Sequence, residues 1–195
     1  ESPNQINKSN KIITLDMPAE MEMVLMGYPG SIGNQSDSPI IDILLYILTE
    51  GETSRLYRKL VYEKEHCTDI FGDFHWGFSN ELITFGYRIH PGKNFKKVLT
   101  DFDVEILNIC NKKINDTELQ KAKNGIITSI VEELTTIANK AAKVVQFETL
   151  FGDYNKLFKL INIYNCITIN QVHEIAQKYL NNNNRTIIHL IPEKL

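Results

Sequence analysis

The sequence predicts an α+β domain: a single, mainly antiparallel β-sheet with helices packed on it. Three observations lead there. Residues 69–74 and 82–89 are β-prone stretches separated by Gly77, Phe78, Ser79 and Asn80, the pattern of an antiparallel hairpin. Several other segments repeat their apolar residues at helical spacing, and two open with a capping box. The resulting order is β, α, α, β, β, α, α, α, β, which suits a sheet with helices layered on it.

Taken in order, residues 1–10 are polar and read as a frayed linker. Residues 11–28 read as one strand stopped by the turn signal Pro29-Gly30. Within it Met21, Met23 and Leu25 alternate with Glu22, as in a half-buried strand. All four methionines lie between positions 17 and 26, where core filling explains them better than an adaptable binding surface. A polar loop, 31–37, leads to Ser38 as N-cap and Pro39 in the first turn of a helix. Residues 40–48 are apolar nearly all round, so that helix should be buried on most sides, with Gly51 as its stop. A second helix over 54–67 puts Leu56, Leu60 and Val61 on one face.

In the hairpin, Ile83, Phe85, Tyr87 and Ile89 share one side of a strand. After Pro91-Gly92, Phe95, Val98, Leu99, Phe102 and Ile106 mark a helix. Asn115 and Glu118 form a capping box with Ile114 and Leu119 as its staple, opening a helix expected to run to Gly152 and long enough to bend. A short helix covers 155–164. Thr168 and Gln171 cap the last helix, with Ile167 and Val172 as staple, and the asparagine run 181–184 ends it as a solvated turn. Residues 186–191 form a final strand in the same sheet.

The chain reads as one domain over 1–195, long enough to bury a core without disulfides or metals. Its net charge of -3, with both signs interspersed, argues against a nucleic-acid surface. No apolar run is long enough to span a membrane. Cys67, Cys110 and Cys166 form no CxxC pair and read as three buried thiols, with one disulfide left open. The chain begins at Glu1 and reads as a segment of a longer protein.

A helical zinc site needs ligands one turn apart. His173-Glu174 begins like HExxH, but the second ligand position is Gln177. Glu65-His66 would suit the reverse motif, but position 62 is tyrosine. GxSxG, Walker A and GxGxxG patterns are lacking, and the adjacent Glu132 and Glu133 diverge on their helix. Read from its residues alone, the sequence is a globular domain without a visible active site.

Several segments nonetheless resemble, in order, the C-terminal halves of bacterial insulinase/pitrilysin-type zinc peptidases. The resemblance starts at Val24-Leu25-Met26-Gly27-Tyr28-Pro29-Gly30 and is sharpest around Ser54-Arg55-Leu56-Tyr57. It continues through Glu118-Leu119-Gln120-Lys121-Ala122-Lys123-Asn124, Leu150-Phe151-Gly152-Asp153-Tyr154 and Ala176-Gln177-Lys178-Tyr179-Leu180. It ends on Asn184-Arg185-Thr186-Ile187-Ile188-His189-Leu190-Ile191-Pro192-Glu193.

It implies a non-catalytic half-domain that walls a peptide-digesting chamber. Zinc and the HxxEH motif would lie in the N-terminal half of the parent protein. Catalytic zinc needs three protein ligands and an open water position, and that water becomes the nucleophile. Many such halves carry an arginine and, seven residues later, a tyrosine that contact substrate; here those positions hold Val61 and Thr68. The departure points to a two-chain arrangement, in which a homologous partner subunit supplies the missing pair. The implied partners are the catalytic half, that subunit and peptide substrates. The implied location is the bacterial cell envelope or periplasm, with the cytoplasm as alternative. The rival function is a purely structural assembly module of the same fold.

One outcome follows from the failed spacings at His173/Gln177 and Tyr62/His66. Chelator-treated chain, reloaded with zinc and analysed for metal, should retain none stoichiometrically; one zinc held by three protein ligands would refute the expectation.

Overall fold

The computed structural model describes residues 10–32 and 36–193, so the expected frayed linker lies almost wholly outside the described residues. Among the described residues, five strands form one sheet: β1 (Lys11–Met17), β2 (Met23–Ile32), β3 (Cys67–Asp73), β4 (Asn80–Ile89) and β5 (Thr186–Pro192). The spatial order is β1-β5-β2-β4-β3. Every pairing is antiparallel except β1 with β5, which is parallel. The helices are α1 (Ser38–Thr49), α2 (Phe95–Asn111), α3 (Asp116–Glu133), α4 (Ile137–Phe151), α5 (Asn155–Cys166) and α6 (Ile169–Tyr179). A π-helical coil covers Tyr57–Glu63.

The fold class, the hairpin, both capping boxes and the place of the last strand are as the sequence predicts. Four expectations are corrected. Residues 11–28 make two strands, parted after Met17 by Pro18, which has no N–H to give a ladder. Pro29-Gly30 does not stop β2, which continues past them to Ile32. The reason is positional: β5 pairs with β2 only over Met23 to Gly27, so Pro29 has no neighbour there asking for its missing N–H. The expected helix 54–67 is instead a π coil closed by His66 N–H on the Leu60 carbonyl at 2.7 Å, with Glu65 in a left-handed conformation (φ 48°). It buries Leu56 and Leu60 but leaves Val61 half-buried, and Cys67 already belongs to β3. The expected long helix to Gly152 is two helices, because the Thr136 hydroxyl accepts from Asn139 N–H at 3.2 Å and starts α4 afresh.

Smaller corrections follow. Asp37, not Ser38, precedes the first turn of α1, and its carbonyl accepts from Ile40 and Ile41. Only Cys67 is buried; Cys110 is half-buried, Cys166 exposed, and all three are free. The asparagine run is more than a solvated turn, since Asn182 Oδ1 accepts from the Tyr28 hydroxyl at 2.9 Å.

One face of the sheet makes the core. Val24, Met26 and Tyr28 of β2, Ile83, Phe85, Tyr87 and Ile89 of β4, and Ile187 of β5 all point into it and are buried. Phe102 of α2 meets Phe85 at 5.5 Å and Tyr87 at 5.8 Å between ring centroids. Helix α1 is buried along nearly its whole length, packed on β3, α3 and α6. Gly72 makes the contact with β3 possible: a Cβ there would stand 2.8 Å from the Thr49 hydroxyl and 3.0 Å from a Leu45 methyl.

The Arg185 side chain, 1% exposed, donates to both carboxylate oxygens of Asp103 at 2.5 and 2.9 Å, and its Nη1 also donates to the Tyr28 hydroxyl at 2.9 Å. Burial works against the charged guanidinium, but Asp103 and Tyr28 outweigh it and hold Arg185 above its ordinary value. Removing one partner of such a pair strands the other. Asp103→Ala should therefore cost about 3–5 kcal/mol in denaturant unfolding. Gly72→Ala should cost about 1–3 kcal/mol through overpacking. Either variant unfolding like the parent chain would contradict the packing described.

Candidate functional site

Val61 and Thr68 lie on either side of the left-handed turn at Glu65. Val61 is half-buried against the core. Thr68 is exposed, at an irregularity in β3 where Cys67 faces Ile89 but Asp69 already faces Arg88. Its hydroxyl donates to Asp69 Oδ1 at 3.2 Å.

The neighbouring arginines differ. Arg55 forks onto Glu118 at 2.7 and 2.9 Å, while the same carboxylate accepts the Asn115 N–H at 3.0 Å to close the capping box. Arg55 is thus committed to holding the start of the π coil on α3. Arg58 is largely exposed, 3.5 Å from Glu63.

The failed zinc positions have structural work of their own. His173 and Gln177 share a face of α6, with Nε2 atoms 3.2 Å apart, and Gln177 donates to the Cys110 carbonyl at 2.9 Å. His66 bonds Asp101 at 2.8 Å and ties the end of the π coil to α2. Among the described residues, no group of three or more His, Cys, Asp or Glu side chains is gathered to hold a metal ion.

Two surfaces went unread in the sequence. The first is the sheet face away from the helices. Register places Leu15, Leu190 and Met23 in one row across it, and Ile13, Ile188, Leu25, Gly86 and Phe71 in the next. The Phe71 ring lies over Gly86, where a Cβ would collide with it, and Leu82 lies over Gly27. Leu15, Phe71 and Leu82 remain 45%, 40% and 54% exposed. Contiguous apolar surface of this kind marks a place where another element docks.

The second is a cleft of about 800 Å³ on the helix side, between α1, the end of β3, α3, α4 and α5. Asp42 of α1 lines it. Its Oδ2 accepts from the Tyr164 hydroxyl at 2.6 Å and from Trp76 Nε1 at 3.1 Å, and its Oδ1 has only a 3.4 Å contact to Trp76. Burial pushes the Asp42 carboxyl up to about 7; the hydrogen bonds from Tyr164 and Trp76 pull the other way, and Asp73 adds to the rise. Burial, with the Asp42 charge beside it, likewise raises the Tyr164 hydroxyl. The signal in the sequence was a lone acid inside the apolar run 40–48, since such a group needs partners once packed.

Comparison with known proteins adds the family. Residues 2–126 match the sequence model of the Peptidase M16 inactive domain. None of the curated proteins compared with the sequence matches it. Among solved structures, a protease from Helicobacter pylori superposes with TM-score 0.88 at 17% identity, covering 96% of this chain and 45% of that one. The chain thus spans less than half the length of that protease. The peptidase M16 inactive domain from Pseudomonas fluorescens superposes with TM-score 0.83 at 15% identity, over 95% of this chain and 44% of that one. The periplasmic protease PqqL from Escherichia coli superposes with TM-score 0.67 at 14% identity, over 95% of this chain and 21% of that one. With its fold shared by these proteins and well over half its length matched by the family's sequence model, the chain belongs to the Peptidase M16 inactive domain family.

Proposed function

We propose that this chain is the non-catalytic half of a zinc-dependent metalloendopeptidase. It forms a wall of the chamber that encloses peptide while zinc in another domain performs the hydrolysis. The observation that carries this reading is the bare apolar sheet face around Leu15, Leu25, Phe71 and Leu82. A half-domain needs such a face to seat its catalytic counterpart, whereas a self-sufficient globule gains nothing from leaving one uncovered. The chain's share of the Helicobacter pylori protease leaves room for that counterpart.

The chain's own residues contribute shape and exclusion of water. Neither Val61 nor Thr68 supplies the arginine or tyrosine that other halves offer to substrate. Valine has no side-chain donor, and the Thr68 hydroxyl already meets Asp69. We therefore assign completion of the site to a homologous partner subunit and place the assembly in the bacterial cell envelope, as for the periplasmic protease of the same fold.

Two measurements test the reading. In the full-length parent protein, assayed with and without the neighbouring homologous subunit, activity should be weak alone and restored by the partner. Losing one oxyanion donor costs ~2.7–4 kcal/mol, so Val61→Ala and Thr68→Ala should change the restored kcat/KM by no more than about twofold. Full activity from the parent alone, abolished by Thr68→Ala, would overturn the two-chain assignment. Leu15→Lys and Leu82→Lys should leave the stability of this chain within about 0.5 kcal/mol, as exposed substitutions do. In the parent they should lower activity at least tenfold. Unchanged parental activity would mean that the sheet face is not where the catalytic half sits, and an upstream half lacking HxxEH would favour the assembly module instead.

A further inference from the structure

The acids along the helix-side cleft are not alike. Asp73 is hydrogen-bonded to His75 at 2.8 Å, and Glu133 pairs with the charged Lys143 at 2.9 Å. Among the described residues, Asp42 is bonded only by the neutral donors Tyr164 and Trp76. Among the described residues it forms no ion pair, and its Oδ1 has acceptor capacity to spare. It is also not fully covered, being only partly buried while lining the cleft. A carboxylate in such a place lacks one thing, a cation.

The walls say which kind. Trp76 is half-exposed, and its ring is propped by Phe147 at 6.2 Å and Phe151 at 6.0 Å. Tyr46 of α1 reaches across to Gly125 of α3, which has no side chain to block it. Aromatic faces beside a carboxylate attract organic cations, ammonium or guanidinium, through both the ring quadrupole and the charge. A metal ion would want several oxygen donors at once, and no such group is gathered here among the described residues. An anion would meet Asp42 head on. The volume, about 800 Å³, is within the range of small-molecule sites and takes a long side chain without difficulty.

We propose that the cleft between α1, the end of β3, α3 and α4 binds the cationic side chain of a peptide, lysine or arginine, with Asp42 as its counter-ion and Trp76 as its aromatic wall. The site lies on the opposite side of the sheet from the face assigned to the catalytic half, and it does not depend on the peptidase reading. The groups that line the cleft with Asp42 are the hydroxyl of Tyr164 on α5, Trp76, His75 and Asp73 at the end of β3, Tyr46 and Glu50 on α1, Glu133 on α3 and Lys143 on α4. Of these, Lys143 alone carries a fixed positive charge, and it is 2.9 Å from Glu133.

Trp76 is the chain's single tryptophan, so its fluorescence reports on this cleft alone. The probes are N-acetyl-lysine amide and N-acetyl-arginine amide, with N-acetyl-norleucine amide as the neutral isostere and butylammonium as a free amine. At pH 8 the two cationic amides should give a saturable change that the norleucine amide does not. A response to butylammonium of the same affinity would show that the ammonium alone is read; a weaker one, that the peptide backbone contributes.

Affinity should fall as Asp42 gains a proton. With the carboxyl near 7, its ionised fraction drops by roughly thirtyfold between pH 8 and pH 5.5, and affinity should follow. Asp42→Asn should abolish the response, whereas His75→Gln should preserve both it and its pH dependence. Calorimetric titration of Trp76→Leu, which removes the aromatic wall together with its hydrogen bond to Asp42, should show weakened binding and covers the case in which the Asp42 variant does not fold. Equal responses to lysine and norleucine amides, binding retained in Asp42→Asn, a pH dependence that vanishes in His75→Gln, or no saturable response would each overturn the proposal.

Discussion

The pairing of buried Arg185 with half-buried Asp103 is the constraint on which the rest of this structure leans. It lies where β5 begins, after the asparagine run, and fastens that point to α2 and, through the Tyr28 hydroxyl, to β2. A charged guanidinium has no place in a hydrophobic core unless its charge is answered. Bonding its Nη1 and Nη2, while Nε has no partner among the described residues, requires α2, β2 and the 181–184 turn to be in register at once. The pair therefore gives specificity more than gross stability: a sheet slipped by one residue would leave a charge buried without its partner.

The other segments that carry the family resemblance are joints of the same kind. Arg55 and Glu118 lock the π coil to α3. Lys123, almost wholly buried, donates to the Asn165 carbonyl at 2.8 Å and so closes the end of α5, where a cation is favoured. Gly152 takes the left-handed conformation that ends α4, and Asp153 then accepts the Asn155 N–H at 2.9 Å to start α5. These contacts hold the helices in place on one face of the sheet.

Much of this was legible beforehand, for identifiable reasons. Capping boxes were readable because they are local: Asn115 with Glu118 and Thr168 with Gln171 each lie within four residues of chain. The core face of β4 was readable because Ile83, Phe85, Tyr87 and Ile89 alternate without interruption. The break between α3 and α4 was missed because the apolar stripe runs straight through it, and a single threonine hydroxyl decides the matter. The survival of β2 past Pro29 depended on how far β5 extends beside it, which is tertiary information. The cleft was missed for the same reason. Asp42, Trp76 and Tyr164 are far apart in sequence, and the only hint was one acid in an apolar run.

The strand order has a consequence for how the chain is made. Among the described strands β1 has a single neighbour, β5, and the two lie parallel although nearly the whole sequence separates them. Of the described strands, β1 leaves the ribosome before the others and β5, its partner among them, after them. At ~5–20 residues per second it waits on the order of ten seconds or more with its ladder groups unpaired. The hairpin of β3 and β4 and the capped helices can form during that interval from nearby residues, whereas sheet closure must await the final strand. Nascent Ile12, Leu15 and Met17 are thus open to stray strand pairing during synthesis, and the lysine that opens the strand, Lys11, is the kind of charge that discourages it.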